Sequence, residues 1–425
     1  MAETDAAGER ASVVTTADSW SVPAPGEDER IRDVQRLGLL DTAPEERFEQ
    51  PTRIARQVLG VPMASVSLMD RDRQWFKSIQ GLELVQVPRE NTVCRTTIAR
   101  AYRHRNDPAL ILPDAAADPA FRTIPGIGGE GGIRFYAGYP LFGPTGHPVG
   151  TFCIYDTVAR QLEPEQVEAF AEIADWVQRE VERADELERA AALQNQLLPS
   201  PLAGVTGVEI ATACLPAFVV GGDFYDHYRL RQGVVLTVAD VMGKGLGAAL
   251  VSSAVRSSLR GAARVLEHFG DSACSVLDTG SALTLAAENL ADDCDRTGVF
   301  VTAFVAAVDP VTGEVDFVDA GHGLALIRRA DGRTDFLDGG DLPIGVLPET
   351  VWTSHCTQLR PGEMLVICSD GLLDLLDEHS DRVELGRFVA DYRSPEALIA
   401  AVRALADGRP PLDDVTVLAV YRQTL

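Results

Sequence analysis

Residues 221–250, GGDFYDHYRLRQGVVLTVADVMGKGLGAAL, hold the pattern around which the second half of the chain is organised. Residues 234–239 form a short apolar run rich in β-branched side chains, which predicts a buried strand that places Asp240 at its end, before a turn with two glycines. Apolar residues then recur at three- and four-residue intervals, as in an amphipathic helix. Two glycines precede Asp223, so a ligand can approach that carboxylate closely. Asp223 and Asp240 are hard oxygen donors of the kind that suits Mg²⁺ or Mn²⁺.

Two further acidic turns lie at strand edges far down the chain. The apolar run 364–368 leads through a serine to Asp370, and Asp413 and Asp414 directly precede the apolar run 415–420. A rigid sheet can bring such carboxylates together if metal ions remove their mutual repulsion. Each Asp taken singly could equally be a turn residue or a helix cap. Their recurrence favours a shared metal site.

Five motifs in the second half, GGDFYD, ADVMGKG, DAGHG, CSDGLLD and DDVTV, stand in this order. They resemble the motifs of the metal-dependent serine/threonine protein phosphatases of the PPM superfamily, most closely its bacterial SpoIIE/RsbU-type branch. The resemblance covers about residues 190–425, within which we expect the domain itself at residues 201–425. It implies an α/β/β/α sandwich of two antiparallel sheets with a two-metal site at one end. The expected fold class is α+β, in two domains.

The resemblance also implies the site residues. The expected catalytic carboxylates are Asp223, Asp240, Asp370 and Asp413. The expected ligands of two Mn²⁺ or Mg²⁺ ions are Asp223, Asp240, Val241 through its carbonyl, Asp370, Asp413 and Asp414. The sequence alone does not decide whether Asp413 or Asp414 binds a metal directly. His322 could be a general acid, although the resemblance implies a structural role, and no Cys or Ser lies in a phosphate-binding nucleophile motif, which argues against a phosphoenzyme.

Composition limits the partners of the protein. The formal net charge of −25 over 425 residues disfavours nucleic acid and anionic membrane surfaces, and it favours a partner with a basic patch. The sequence contains no apolar run of about 18 residues, so we expect a cytoplasmic protein that does not enter the membrane. Its seven cysteines contain no CxxC pair, which suggests reduced thiols rather than a zinc site or a disulfide framework.

The first half carries a second resemblance. The segments LGLLDTAPEERFE, VSLMDRDRQWFKS, PRENTVC, LPDAAADPAF, IRFYAGYPL and VGTFCIYD resemble a GAF domain, expected at residues 28–162. A GAF domain implies a six-stranded antiparallel sheet and a regulatory input, here with an unknown ligand. Residues 1–27 lack an apolar period and are expected to form a disordered tail. Cys94 is interpreted as core filler rather than as a ligand or a redox switch.

Between the two domains, residues 163–200 predict a long linker helix. Apolar residues recur at steps of three or four from Phe170 to Ala191, with charged residues on the other faces. A stripe of this length favours a coiled coil that pairs two chains into a homodimer. The alternative is an ordinary amphipathic helix that lies on the GAF sheet.

Together these features predict a phosphoserine/phosphothreonine protein phosphatase controlled by a GAF domain. The resemblance implies a phosphorylated anti-sigma-factor antagonist of the STAS fold as its substrate, in a partner-switching pathway. An alternative from another class is a catalytically silent, phosphatase-fold binding protein that sequesters a signalling partner.

Overall fold

The computed structural model describes residues 24–202, 205–231, 233–269, 276–377, 379–409 and 411–423. The chain folds as two compact units, Met1–Arg189 and Ala190–Leu425. Among the helices of the described residues, none is both long enough and apolar enough to cross a membrane.

The first unit is built on one antiparallel sheet. Its strands are β1 (Met63–Met69), β2 (Arg73–Gln80), β3 (Gln86–Pro88), β4 (Leu110–Leu112), β5 (Phe135–Phe142) and β6 (Pro148–Asp156), in the spatial order β3-β2-β1-β6-β5-β4. Its helices are α1 (Ala24–Arg36), α2 (Glu46–Leu59), α3 (Cys94–Arg103) and the first part of α4 (Pro164–Leu197). The six-stranded antiparallel sheet implied by the GAF resemblance is confirmed.

Helix α1 begins inside the segment expected to be disordered. It starts at Ala24, so the expected tail of residues 1–27 is wrong for residues 24–27, and residues 1–23 lie outside the described residues. Glu27 and the fully buried Arg30 form an ion pair of 2.8 Å, directly before Ile31, a buried apolar residue of the helix. This ion pair provides partners for polar residues at the start of the helix. The spacing of the apolar residues in the sequence does not reveal it.

The apolar stripe of α4 is buried within its own chain. Phe170, Val177 and Val181 are all buried in the core of the first unit, and the rings of Phe170 and Phe152 lie 5.3 Å apart. Gln178 accepts a hydrogen bond from the backbone N–H of Phe142 at 2.7 Å and donates one to its carbonyl at 3.1 Å. The alternative, a helix lying on the GAF sheet, therefore describes residues 170–184. The coiled-coil interpretation of that stretch is wrong, because its apolar face is already covered.

The second unit contains two five-stranded antiparallel sheets. The first sheet has the order β14-β11-β10-β9-β8 and consists of β8 (Phe224–Leu230), β9 (Gly233–Val241), β10 (Val301–Val308), β11 (Glu314–Ala320) and β14 (His355–Gln358). The second has the order β13-β12-β15-β16-β7 and consists of β7 (Val208–Leu215), β12 (Ala325–Arg328), β13 (Thr334–Phe336), β15 (Met364–Cys368) and β16 (Val415–Arg422).

Helices cover the outer face of each sheet. They are α5 (Leu246–Phe269) and α6 (Thr279–Thr297) on the first sheet, and α7 (Gly371–Leu376), α8 (Arg382–Ala390) and α9 (Pro395–Gly408) on the second. Along β9, Leu236 and Val238 pack between the sheets, whereas Val235 and Ala239 face α5 and α6. The expected α/β/β/α sandwich is confirmed. Because side chains alternate along a strand, Asp240 belongs to the set that projects between the sheets.

Candidate metal centre

Neighbouring strands of the first sheet supply two of the predicted carboxylates. Asp223 directly precedes β8, and Phe224 pairs with Ala239, so Asp223 lies beside Asp240 across the ladder. Asp240 is the second-to-last residue of β9 rather than a residue beyond its end, and the strand continues through Val241. Asp223 is only 3% exposed, and its Oδ2 atom has no hydrogen-bond partner among the described residues.

The second sheet supplies the other acidic residues. Cys368 on β15 pairs with Val417 on β16, and Ser369 extends this ladder: its N–H donates to the Thr416 carbonyl at 2.9 Å, and its hydroxyl accepts from the Thr416 N–H at 2.9 Å. Asp370 follows directly, beside the turn that precedes β16. A Cβ on the next residue, Gly371, would collide with the carbonyl oxygen of Asp414, so only glycine fits there.

Carboxylates of the two sheets change one another's pKa values. Burial and the charge of Asp240 raise the pKa of Asp223 well above its usual range. Burial and the charge of Asp370 raise the pKa of Asp240 to about 6. Burial and the charge of Asp413 raise the pKa of Asp370. Each of the four side chains therefore lies within range of the charge of at least one other, at one end of the sandwich.

The donor set fits a hard divalent cation. In the described part of the chain, no three Asp, Glu, His or Cys side chains form a ready-made cage for one ion. The available donors are nevertheless all oxygen, and one of them is the unpartnered and buried Oδ2 of Asp223. Burial, together with repulsion between neighbours, raises the pKa of Asp223, Asp240 and Asp370. Mg²⁺ sites usually combine one or two carboxylates with several waters, so this arrangement suits such an ion.

The adjacent residues Asp413 and Asp414 have different surroundings. Asp414 is buried, and its carboxylate accepts hydrogen bonds from the backbone N–H groups of Ala217 (2.8 Å), Gly222 (2.7 Å) and Asp223 (3.4 Å). The Asp413 side chain is 44% exposed, and its Oδ2 lies 3.3 Å from Nζ of Lys244. Asp414 thus holds the loop that carries Asp223, while the carboxylate of Asp413 remains accessible.

A residue that sequence reasoning missed holds the same loop from the other side. Gln194, in the last turn of α4, donates from Nε2 to the carbonyl of Gly221 at 2.7 Å and accepts from its N–H at 3.2 Å. A glutamine in a stretch of polar and apolar residues carries no signal of such a role. Gly222, which follows Gly221, has no room for a side chain, since a Cβ would lie 2.8 Å from the Val241 carbonyl oxygen.

His322 lies close to the acidic strand ends. Its ring contacts the hydroxyl of Thr302 at 3.5 Å, and Thr302 pairs with Asp240 across β9 and β10. Its backbone N–H donates to Asp319 at 2.7 Å. Burial lowers the pKa of His322 to about 4, so the ring is neutral near pH 7. A neutral ring is a poor general acid, which favours the structural role.

Comparison with known proteins identifies both units. Residues 231–423 match the family Stage II sporulation protein E (SpoIIE), and residues 43–181 match the GAF domain family. The chain is 37% identical over 142 residues to a cyclic di-GMP phosphodiesterase of Pseudomonas aeruginosa, which covers 33% of this chain and 23% of that protein. It is 24% identical over 227 residues to the phosphoserine phosphatase RsbU of Bacillus subtilis, which covers 52% of this chain and 63% of RsbU.

Among solved structures, the SiaA-PP2C domain of Pseudomonas aeruginosa matches with a TM-score of 0.48 and 24% identity, over 58% of this chain and 99% of that domain. The chain spans less than two thirds of the length of either curated relative named above. Its architecture is a GAF domain followed by a PPM-type domain of the SpoIIE family.

Proposed function

We propose that the second unit is a metal-dependent phosphatase that hydrolyses phosphoserine and phosphothreonine in a protein. The observation that carries this proposal is the meeting of Asp223, Asp240, Asp370 and Asp413 at one end of a sandwich in a SpoIIE-family domain. Phosphate monoesters need charge neutralisation and a strong nucleophile, and a cluster of carboxylates can hold the cations that provide both.

Five residues of the chain would bind the metal ions. Asp223, Asp240, Asp370 and Asp413, with the carbonyl of Val241, would hold two Mn²⁺ or Mg²⁺ ions. When bound, such ions supply positive charge for the phosphate ester and hydroxide at neutral pH.

Other residues would orient the site. We infer that Asp414 is a positioning residue rather than a direct ligand, because backbone N–H groups already occupy its carboxylate. Lys244, 5.5 Å from the ring of Phe218 and next to Asp413, keeps a cation at the rim, where a phosphate would enter. The raised pKa values of Asp223, Asp240 and Asp370 mean that protons compete with metal, so metal binding should weaken as the pH falls.

For the substrate, we propose a phosphorylated anti-sigma-factor antagonist of the STAS fold in a partner-switching pathway. The similarity to RsbU, named as a phosphoserine phosphatase, supports this class. The net charge of −25 favours a docking surface with basic residues. The GAF domain would control turnover in the cytoplasm, in response to a ligand that the fold does not identify. A homodimer remains a prediction, and the buried stripe of α4 does not support it.

The direct test is hydrolysis of p-nitrophenyl phosphate and of a phosphoserine STAS protein by the full chain. We expect both reactions to require Mn²⁺ or Mg²⁺ and to stop when a chelator is added. Folded protein that hydrolyses neither compound at saturating Mn²⁺ would contradict the proposal. If that protein also bound the phosphorylated STAS protein, the result would favour the sequestering alternative.

Gln194→Ala should weaken metal binding without unfolding the protein. It removes both hydrogen bonds to Gly221, so the loop that carries Asp223 loses one of its two supports. Loss of such an outer contact typically costs about 10- to 100-fold in metal affinity. We expect a higher Mn²⁺ concentration at half-maximal rate, with a smaller change in the rate at saturating Mn²⁺.

The matched control is Gln196→Ala, an exposed glutamine two residues further along the same helix. Its Mn²⁺ dependence should equal that of the parent protein. If Gln194→Ala also behaves like the parent, the last turn of α4 does not position the metal loop.

A further inference from the structure

Two buried cysteines of the GAF domain are in contact with each other. Cys94 is the first residue of α3, and Cys153 lies on β6. Their Sγ atoms are 3.6 Å apart, and the residues are 2% and 0% exposed. A disulfide requires about 2.05 Å between the sulfurs, so the two atoms would have to approach each other by about 1.5 Å. Their separation of 59 positions in the sequence hides this pairing.

Only one of the two cysteines is among the described residues that line a pocket. Cys94 lines a pocket of about 410 Å³, together with Gln74, Phe76, Asn91, Tyr136 and Tyr155. A glycine-rich segment, residues 126–132, forms part of the pocket wall. Cys153 is not one of the described residues that line this pocket. A small molecule that enters the pocket therefore meets Cys94 before Cys153.

Polar groups surround the sulfur of Cys94. Gln74 donates from Nε2 to the sulfur at 3.2 Å, and the hydroxyl of Tyr136 lies 3.6 Å from it and 3.3 Å from the sulfur of Cys153. The hydroxyl of Tyr155 lies 3.8 Å from it. The start of a helix also favours negative charge. A cysteine that only fills an apolar core has no use for these donors, whereas a thiolate is stabilised by them.

The same surroundings make the two thiols chemically unequal. Burial disfavours the thiolate of Cys94, but hydrogen bonds, the largest from Cys153, outweigh burial and lower its pKa. Burial and the neighbouring Cys94 raise the pKa of Cys153 well above its usual range. A nucleophilic thiolate beside a protonated resolving thiol is the arrangement found in redox-sensing pairs.

We propose that Cys94 and Cys153 form a reversible disulfide when hydrogen peroxide enters the pocket. The Cys94 thiolate attacks a peroxide oxygen, the O–O bond breaks, and the leaving hydroxide takes up the proton released by the Cys94 thiol to give water. Cys94 becomes a sulfenic acid. The Cys153 sulfur then attacks the Cys94 sulfur, the S–O bond breaks, and the leaving hydroxide takes the Cys153 proton as a second water.

Overall, two thiols and one peroxide give one disulfide and two waters, and the two electrons come from the sulfurs. A dithiol reductant reverses the reaction. Disulfides of this transient kind are those expected in a reducing compartment. The new bond would tie the start of α3 to β6 at the wall of the pocket.

The test uses the full chain, fully reduced and then exposed to one to ten equivalents of hydrogen peroxide. Free thiols are blocked with N-ethylmaleimide, and the protein is digested and analysed by mass spectrometry. We expect a Cys94–Cys153 linked peptide, lighter by two hydrogen atoms than the two reduced peptides, in most molecules. Dithiothreitol should remove the link. If the exposed Cys356 is oxidised while no linked peptide forms in the folded parent, the proposal is wrong.

Variants separate the roles of the two sulfurs. In Cys153→Ser, dimedone should trap a sulfenic acid at Cys94, whereas in Cys94→Ser, Cys153 should remain reduced. The control is Cys294→Ser, which removes a buried cysteine of the other unit and should leave the linked peptide unchanged. Oxidation of Cys153 in Cys94→Ser at the parent's rate would contradict the assigned order. The measurement on the parent decides the proposal even if a variant fails to fold.

Discussion

Asp240→Asn is expected to abolish metal-dependent turnover while it leaves the fold intact. Asp240 lies between Asp223 on its own sheet and Asp370 on the other, and the charge of each acts on its neighbour. Loss of this carboxylate removes negative charge where cations must bind, and we expect turnover to fall by at least about 100-fold, the scale seen when one electrostatic group of an active site is removed. Stability without metal should rise slightly, because a source of repulsion between buried carboxylates has gone.

The matched control is Asp292→Asn, which removes the same charge from an exposed residue of α6. This variant should keep a turnover near that of the parent. Hydrolysis of p-nitrophenyl phosphate across a Mn²⁺ series, with circular dichroism to monitor folding, measures both variants. Turnover by folded Asp240→Asn near the parent rate at saturating Mn²⁺ would refute the site.

Asp413→Ala and Asp414→Ala are expected to fail in different ways, although the residues are adjacent. Asp414→Ala leaves the backbone N–H groups of Ala217 and Gly222 without their acceptor. Each unsatisfied buried group costs about 1–3 kcal/mol, so we expect the free energy of unfolding of the second unit to fall by about 2–5 kcal/mol. Asp413→Ala should lose turnover with a smaller loss of stability, because its half-exposed carboxylate accepts from one backbone N–H, that of Asp414 at 2.9 Å, and would bind metal.

Urea unfolding and Mn²⁺-dependent hydrolysis of both variants make the comparison. Asp414→Asn adds a third point, since its amide keeps one acceptor oxygen and should lie between the parent and Asp414→Ala in stability. Equal stability of Asp413→Ala and Asp414→Ala would show that the three backbone hydrogen bonds of Asp414 do not hold the loop. Full turnover by Asp413→Ala would remove it from the site.

The strand ends of the second unit could be predicted because their signals are local. An apolar run that stops at an acidic residue marks a strand end, and this rule located Asp240, Asp370 and Asp413 correctly on or beside β9, β15 and β16. The separate surroundings of Asp413 and Asp414 could not be predicted. They depend on backbone N–H groups nearly 200 residues away, at Ala217 and Gly222, which no local pattern reports.

The α4 helix illustrates another limit of sequence reasoning. The spacing of Phe170, Val177 and Val181 predicts that one face is covered, but it does not say whether the cover comes from the same chain or from a second one. In the structure, the GAF core covers it. Cys94 presents the same difficulty. Its interpretation as core filler rests on that residue alone, whereas its contact with Cys153 exists only because the fold places β6 beside α3.

Calorimetric titration of Mn²⁺ into the full chain, first freed of metal with a chelator, tests the central claim most directly. We predict binding of two ions per chain, with release of protons at pH 6 from carboxylates whose pKa values are raised. Asp240→Asn should bind fewer ions, and Asp292→Asn should bind as the parent does. A folded parent chain that binds neither Mn²⁺ nor Mg²⁺ at millimolar concentration would contradict a metal centre at this end of the sandwich.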